Sequence, residues 1–197
     1  MKLIAITTDT SYKGETKGVI ALFKEGLERL HLRKPKASKE DLDAWLKAIP
    51  IEYLGRIVLH DHFELTKKYP LGGIHLNSRN PNPIPQKGTV SRSCHSVKEI
   101  TENKGLDYYF LSPAFNSISK EACRPALDLE AVKGAFEKGL LGNNVYALGG
   151  VTPGRIPMLK EIGFGGIAVL GALWGGYAHD KDVKALVNRY QLFEQAL

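Results

Sequence analysis

Eight short runs rich in Leu, Ile, Val and aromatic residues recur along this 197-residue chain, most of them separated by stretches of helical periodicity. They lie at 3–7, 30–33, 57–60, 73–76, 89–93, 108–111, 145–148 and 167–170. Nearly continuous apolar runs are what strands buried on both faces require. Strand–helix alternation implies parallel strands joined by right-handed crossovers. Eight such strands predict an α/β fold, a closed (β/α)8 TIM barrel, with residues 1–197 forming a single domain. An open doubly wound sheet is the alternative, because strand count alone does not prove closure.

The stretches between the runs carry helix signals. Val19, Ile20, Phe23 and Leu27 line one side of a segment from Thr16 to Leu27. Ser38 and Asp41 have capping-box spacing ahead of a stripe of Leu42, Trp45, Leu46 and Ile49, and Ser96 and Glu99 repeat that spacing. Asp128 starts a helix that runs to about Lys138. Thr152-Pro153 reads as an N-cap and first helical position before Ile156, Leu159 and Ile162. The last helix runs from about Lys181. After strand four, Pro81, Pro83 and Pro85 forbid a regular helix, so that crossover is reduced to a Pro-rich loop.

With 43% apolar and 24% charged residues, the chain can build one sizeable core and is not a disordered or disulfide-stapled polypeptide. No apolar run approaches the ~20 residues of a membrane span. Leu3-Ile4-Ala5-Ile6 is too short for a signal-peptide core and reads as a strand. Two cysteines without a CxxC pair point to a reduced, cytoplasmic setting. The formal charge of +6 favours anionic partners. No basic stripe with interleaved aromatics accompanies it, so a phosphorylated small molecule is favoured over nucleic acid or membrane lipid.

In such barrels chemistry gathers at the C-terminal strand ends. His31 and Arg33 end strand two; His60, Asp61 and His62 end strand three; His75 ends strand four; Ser93, Cys94 and His95 end strand five. One histidine there would simply cap a strand, whereas five at equivalent positions indicate a polar site. His60 and His62 have the spacing of a metal pair, but zinc needs a third ligand that nothing marks. Strand seven ends at Gly149-Gly150 and strand eight at Gly171-Ala172. Glycine lets backbone N–H groups approach a phosphate closely, and these two loops form the usual phosphate cup of the fold. Ser117, Ser119 and Lys120, after strand six, could close on a second anion. Arg79 and Arg124 read as ordinary loop charges.

Several segments together carry a family resemblance: Gly73-Ile74-His75-Leu76, Arg92-Ser93-Cys94-His95-Ser96, Ala147-Leu148-Gly149-Gly150-Val151-Thr152-Pro153 and Gly166-Ile167-Ala168-Val169-Leu170. The chain resembles the thiamine phosphate synthase/TenI family. The resemblance implies a barrel that binds a phosphorylated hydroxyethylthiazole; a homo-oligomer is compatible with it. In the synthase branch, the thiazole is joined to an aminopyrimidine diphosphate with loss of pyrophosphate, using magnesium. In the TenI branch, a thiazole carboxylate phosphate is tautomerised by a histidine and no metal is required. Synthases carry Gln-x-Arg-x-Lys on strand two, where this chain has His31, Arg33 and Pro35. They hold magnesium between two aspartates, where it has Asp61 and Asn80. These departures favour the tautomerase branch, with His95, Arg33 and His31 as the catalytic set. His60, Ser93, Ser117, Ser119 and Lys120 would bind substrate or diphosphate. The synthase, with Mg2+ at Asp61 and Asn80, is the alternative, and a non-catalytic thiazole-phosphate-binding regulator is the third reading.

Overall fold

The computed structural model describes residues 1–115 and 126–197. Eight parallel strands close into a barrel in chain order: β1 (Lys2–Ile6), β2 (Leu30–Leu32), β3 (Ile57–Leu59), β4 (Gly73–Leu76), β5 (Thr89–Cys94), β6 (Tyr108–Leu111), β7 (Val145–Leu148) and β8 (Gly166–Val169). β8 returns to β1 through the register Leu3 to Ile167 and Ala5 to Val169, which excludes the open sheet. All eight expected strands are present, three with the expected ends and five with ends displaced by one residue. β2 stops at Leu32 and β3 at Leu59 because the last ladder bond between them, His60 N–H to Leu32 O at 3.1 Å, leaves no further partner.

The outer layer contains α1 (Glu15–Lys24), α2 (Lys39–Lys47), α3 (Ile51–Leu54), α4 (Val97–Glu102), α5 (Leu129–Glu137), α6 (Ile156–Ile162), α7 (Gly171–Trp174), α8 (Tyr177–Asp180) and α9 (Val183–Ala196). Residues 77–88 form neither helix nor strand, as the prolines require. Ser38 and Asp41 complete both halves of a capping box, and Asp128 caps α5 through the N–H groups of Glu130 and Ala131. Three expectations need correction. Thr152 makes no side-chain cap, and a 3-10 turn at Pro153–Arg155 precedes α6. Ser96 accepts from Glu99 N–H, but the Glu99 carboxylate reaches back to His95 N–H instead of closing the box. The C-terminal helix begins at Val183, because Lys181 adopts a left-handed backbone (φ 55°) and separates it from α8.

Most of the apolar core lies between the strands and the helices. Inside the barrel, Ile4, Ile6, Tyr108, Phe110, Tyr146 and Ala168 form a second, smaller cluster. The interior is not entirely apolar: His31, His60, His75 and Ser91 are buried there.

Candidate active site

The five histidines expected at one face divide into three groups. His31, in the middle of β2, His60, just past β3, and His75, within β4, are all buried and in ring contact with one another. His31 Nδ1 lies 2.8 Å from His60 Nε2, and His31 Nε2 lies 2.7 Å from the Tyr108 hydroxyl. His75 is held between Ser91 Oγ and Ser93 Oγ, each at 2.8 Å. Burial drives all three toward the neutral form. For His31 the charge on His75 and Arg29 adds to that effect; for His60, His75, His31, Arg33 and Arg79 add to it. His75 is pulled down to about 3 by burial and by Arg92. One nitrogen from each of the three lies within 4.8 Å of the others. Both nitrogens of His31 and of His75 already have partners, whereas His60 uses only Nε2 and its Nδ1 has no hydrogen-bond partner among the described residues. His31 therefore offers no open nitrogen to a substrate, which corrects its expected catalytic role.

The remaining two histidines point elsewhere. His62 has a left-handed backbone (φ 53°), and its Nε2 donates to Ala37 O at 3.0 Å. Because β3 has already ended, His60 and His62 do not share a strand face, in keeping with the reading that their spacing alone does not make a metal site. His95 is exposed beyond β5, with Nδ1 2.9 Å from Ser112 O. A carbonyl oxygen only accepts, so Nδ1 carries a proton, and in the neutral imidazole Nε2 is then the acceptor. Ser93, at the same strand end, is tied to His75.

Beyond β3 and β4 lies the cluster that includes both expected magnesium ligands. Asp61 Oδ1 accepts from Arg79 Nε at 3.1 Å, Arg79 Nη2 at 2.9 Å and Asn80 Nδ2 at 3.0 Å; Oδ2 accepts from Arg79 Nη2 at 3.1 Å. Asn80 Nδ2 also donates to His60 O at 3.0 Å. With two acceptors before it, the Asn80 amide must present its NH2 group, not its oxygen, on this side. Magnesium needs oxygen ligands near octahedral geometry. One carboxylate already occupied by a guanidinium and an amide does not fit that ion, and the expected Asp61–Asn80 metal pair is corrected accordingly. The cluster opens on a cavity of about 750 Å3 that also includes Lys67.

On the opposite side of the barrel, Gly149 (φ 101°) and Gly150 (φ 64°) follow β7. A Cβ on Gly149 would meet Pro113 Cα at 3.0 Å, so the left-handed turn and the close approach both need glycine here. The β6 loop is bound to it by Ala114 N–H to Leu148 O and Phe115 N–H to Gly149 O. Arg155 pins the turn through Gly150 O at 2.6 Å while stacking on Phe115. β8 pairs with β7, so exposed Gly171 and Ala172 emerge beside this loop. Among the described residues, the N–H groups of Gly149, Gly150, Gly171 and Ala172 have no protein acceptor. Ser117, Ser119 and Lys120 lie outside the described residues.

Arg33 stands half-exposed at the strand end and pairs with Asp9. Lys34, one of the two lysines that flank Pro35, does not replace the lysine that synthases carry there. Its Nζ is sealed behind the strand, 2.6 Å from Glu15 Oε1 and 2.7 Å from Thr8 O. Sequence reasoning missed Arg79, which it treated as a surface charge, and Tyr108. An uncharged Asn80 next to an arginine, where a carboxylate was expected, was the available signal for Arg79.

A family model described as thiamine monophosphate synthase matches residues 3–173. The thiamine-phosphate synthase of Bacteroides thetaiotaomicron is 26% identical over 204 residues, covering 96% of this chain and 97% of that protein. The synthase of Bacteroides fragilis is 27% identical, covering 83% and 87%. Among solved structures, a thiamine phosphate pyrophosphorylase from Bacteroides thetaiotaomicron superposes with a TM-score of 0.86 at 38% identity, covering 100% of this chain and 97% of that one. A thiamine phosphate pyrophosphorylase from Pyrococcus furiosus shares the fold at 20% identity and a TM-score of 0.73.

Proposed function

The chain belongs to the thiamine monophosphate synthase family, and from that membership we propose that it is a thiamine-phosphate synthase. Full-length similarity at 38% identity to a protein named thiamine phosphate pyrophosphorylase carries this reading. It replaces the preference for the tautomerase branch drawn from Pro35 and Asn80, since the relatives reported above bear the synthase or pyrophosphorylase name.

The thiazole phosphate would sit on the N–H groups of Gly149, Gly150, Gly171 and Ala172, in the cup position of the fold. In the coupling, the C–O bond between the pyrimidine methylene and the diphosphate breaks and its electron pair leaves with pyrophosphate. The thiazole nitrogen then supplies the pair for the new C–N bond. No step is assigned to magnesium, because the Asp61 cluster does not fit the ion. His95, whose Nε2 has no partner among the described residues, would position the pyrimidine.

A second reading, thiazole tautomerase, is favoured by that same His95 geometry: an open Nε2 with its tautomer fixed by Ser112 O is poised for proton transfer. Turnover of thiazole phosphate with hydroxymethylpyrimidine diphosphate, followed by pyrophosphate release, tests the proposal. The expected result is coupling, with His95→Ala mainly weakening pyrimidine binding. Absence of coupling, together with tautomerisation of thiazole carboxylate phosphate that falls about 10²–10⁴-fold in His95→Ala, would transfer the assignment to the tautomerase.

A further inference from the structure

We propose that Arg79 is the built-in cation of this site: its guanidinium, held by Asp61 and Asn80, receives a diphosphate group without a divalent metal. The diphosphate as a substrate group rests on the synthase reading; the anion site itself does not.

The geometry fixes the guanidinium on one side and leaves it open on the other. Nε and Nη2 are committed to Asp61, whose side chain is 10% exposed. Asn80 shares the same carboxylate oxygen and ties it to His60 O, so the holder is itself held. Asn77 adds Nδ2 donors to His60 O and His75 O, while residues 77 and 80 exchange backbone hydrogen bonds at 3.1 Å each way. Nη1 has no partner among the described residues, and the Arg79 side chain is 38% exposed. The planar fork therefore presents donors to the cavity of about 750 Å3, where phosphate oxygens are well matched to guanidinium geometry.

Charge supports the same assignment. A divalent ion between two carboxylates sums to zero, and so does one guanidinium between a carboxylate and a neutral amide. Replacing the second carboxylate by Asn80 thus suits a monovalent cation where it would weaken a divalent one. Lys67 adds a second positive charge to the cavity wall. The opposing carboxylate there, Glu64, is drawn toward Lys39 at 3.8 Å and His62 at 3.7 Å.

Calorimetric titration of the full chain with inorganic pyrophosphate, in EDTA and then in excess Mg2+, tests the assignment. Pyrophosphate should bind in EDTA, with affinity changed less than about twofold by Mg2+, and Arg79→Ala should weaken it at least about tenfold. Arg79→Lys should recover only part of the loss, because an ammonium lacks the fork. The double substitution Arg79→Ala with Asn80→Asp should make pyrophosphate binding Mg2+-dependent. Thermal melts check folding, and inorganic phosphate binding at the Gly149–Gly150 turn should be unchanged in each variant. Pyrophosphate binding that requires Mg2+ in the wild type, or that is indifferent to Arg79→Ala, overturns the proposal. Metal-free binding through Arg79 in a protein that fails to couple substrates would instead overturn the synthase reading and leave this one standing.

Discussion

Arg33 and Lys34 are adjacent in sequence and face opposite ways. Just past the end of β2, Arg33 stands at the mouth while Lys34 turns into the layer between β2 and the helices, where it is 1% exposed. Its ammonium is tolerated there because Glu15, Thr8 O and Thr10 O surround it, and Trp45 Nε1 takes the second Glu15 oxygen at 2.9 Å. Burial pulls the Lys34 pKa down and Glu15 opposes that pull. Breaking such a pair leaves an uncompensated buried carboxylate, which costs about 3–5 kcal/mol. Lys34→Met should therefore lower the unfolding free energy by about that amount in urea titrations; a loss below about 1 kcal/mol would show that the pair is dispensable. The inward turn of Lys34 was not readable from sequence, because β2 has ended at Leu32 and strand alternation no longer applies. Its partner was not readable either, because Glu15 is 19 residues away and only the crossover of α1 between the paired strands β1 and β2 brings it there.

At the scale of elements, what was legible follows from local chemistry. The prolines after β4, the Ser38–Asp41 box and the Asp128 cap each act within a few residues, and each formed as read. The elements misread were those decided by competing partners that residue spacing does not rank. Glu99 prefers His95 N–H to its own cap, and the Thr152 turn winds as a 3-10 segment before α6 begins. The glycine turn after β7 combines both kinds of cause. Its sequence marks a tight turn, while the need for glycine at 149 comes from Pro113 in the neighbouring loop. Gly149→Ala would force an L-residue into a left-handed backbone against that proline, at a cost of about 1–3 kcal/mol. It should also displace the N–H groups of the phosphate cup. The expected outcome is a lower melting temperature together with weaker thiazole phosphate binding. Unchanged phosphate affinity would place the phosphate elsewhere.

The whole molecule is a barrel whose closure was legible, because eight doubly buried strands have few other ways to cover their faces. What occupies the interior was less legible. Histidines at 31, 60 and 75 read as mouth residues, since period-two alternation says which face a residue takes but not how deep along the axis it lies. Placing three imidazoles in the interior ties the stability of the fold to pH. In the folded protein their pKa values lie below the unfolded value of 6.5, chiefly through burial. The unfolded chain therefore binds protons that the folded one refuses, and stability rises with pH over that interval. The contribution is complete above about pH 6.5 and is lost as pH falls toward the folded values, about 3 for His75. Each histidine in this window contributes a slope of about 1.4 kcal/mol per pH unit. Asp43, held well below the usual carboxylate range chiefly by Lys47, then Lys68 and Tyr69, loses its contribution only below about pH 4. The interval from pH 6.5 to 4.5 therefore lies above the loss from Asp43. Urea midpoints measured across it should fall steadily, and His75→Gln, which keeps an uncharged hydrogen-bonding group beside Ser91 and Ser93, should flatten the fall by about one third. Midpoints that stay level from pH 6.5 to 4.5 would mean that the interior accepts protonated imidazoles, and that the network of His31, His60, His75 and Tyr108 opens to water well before the barrel unfolds.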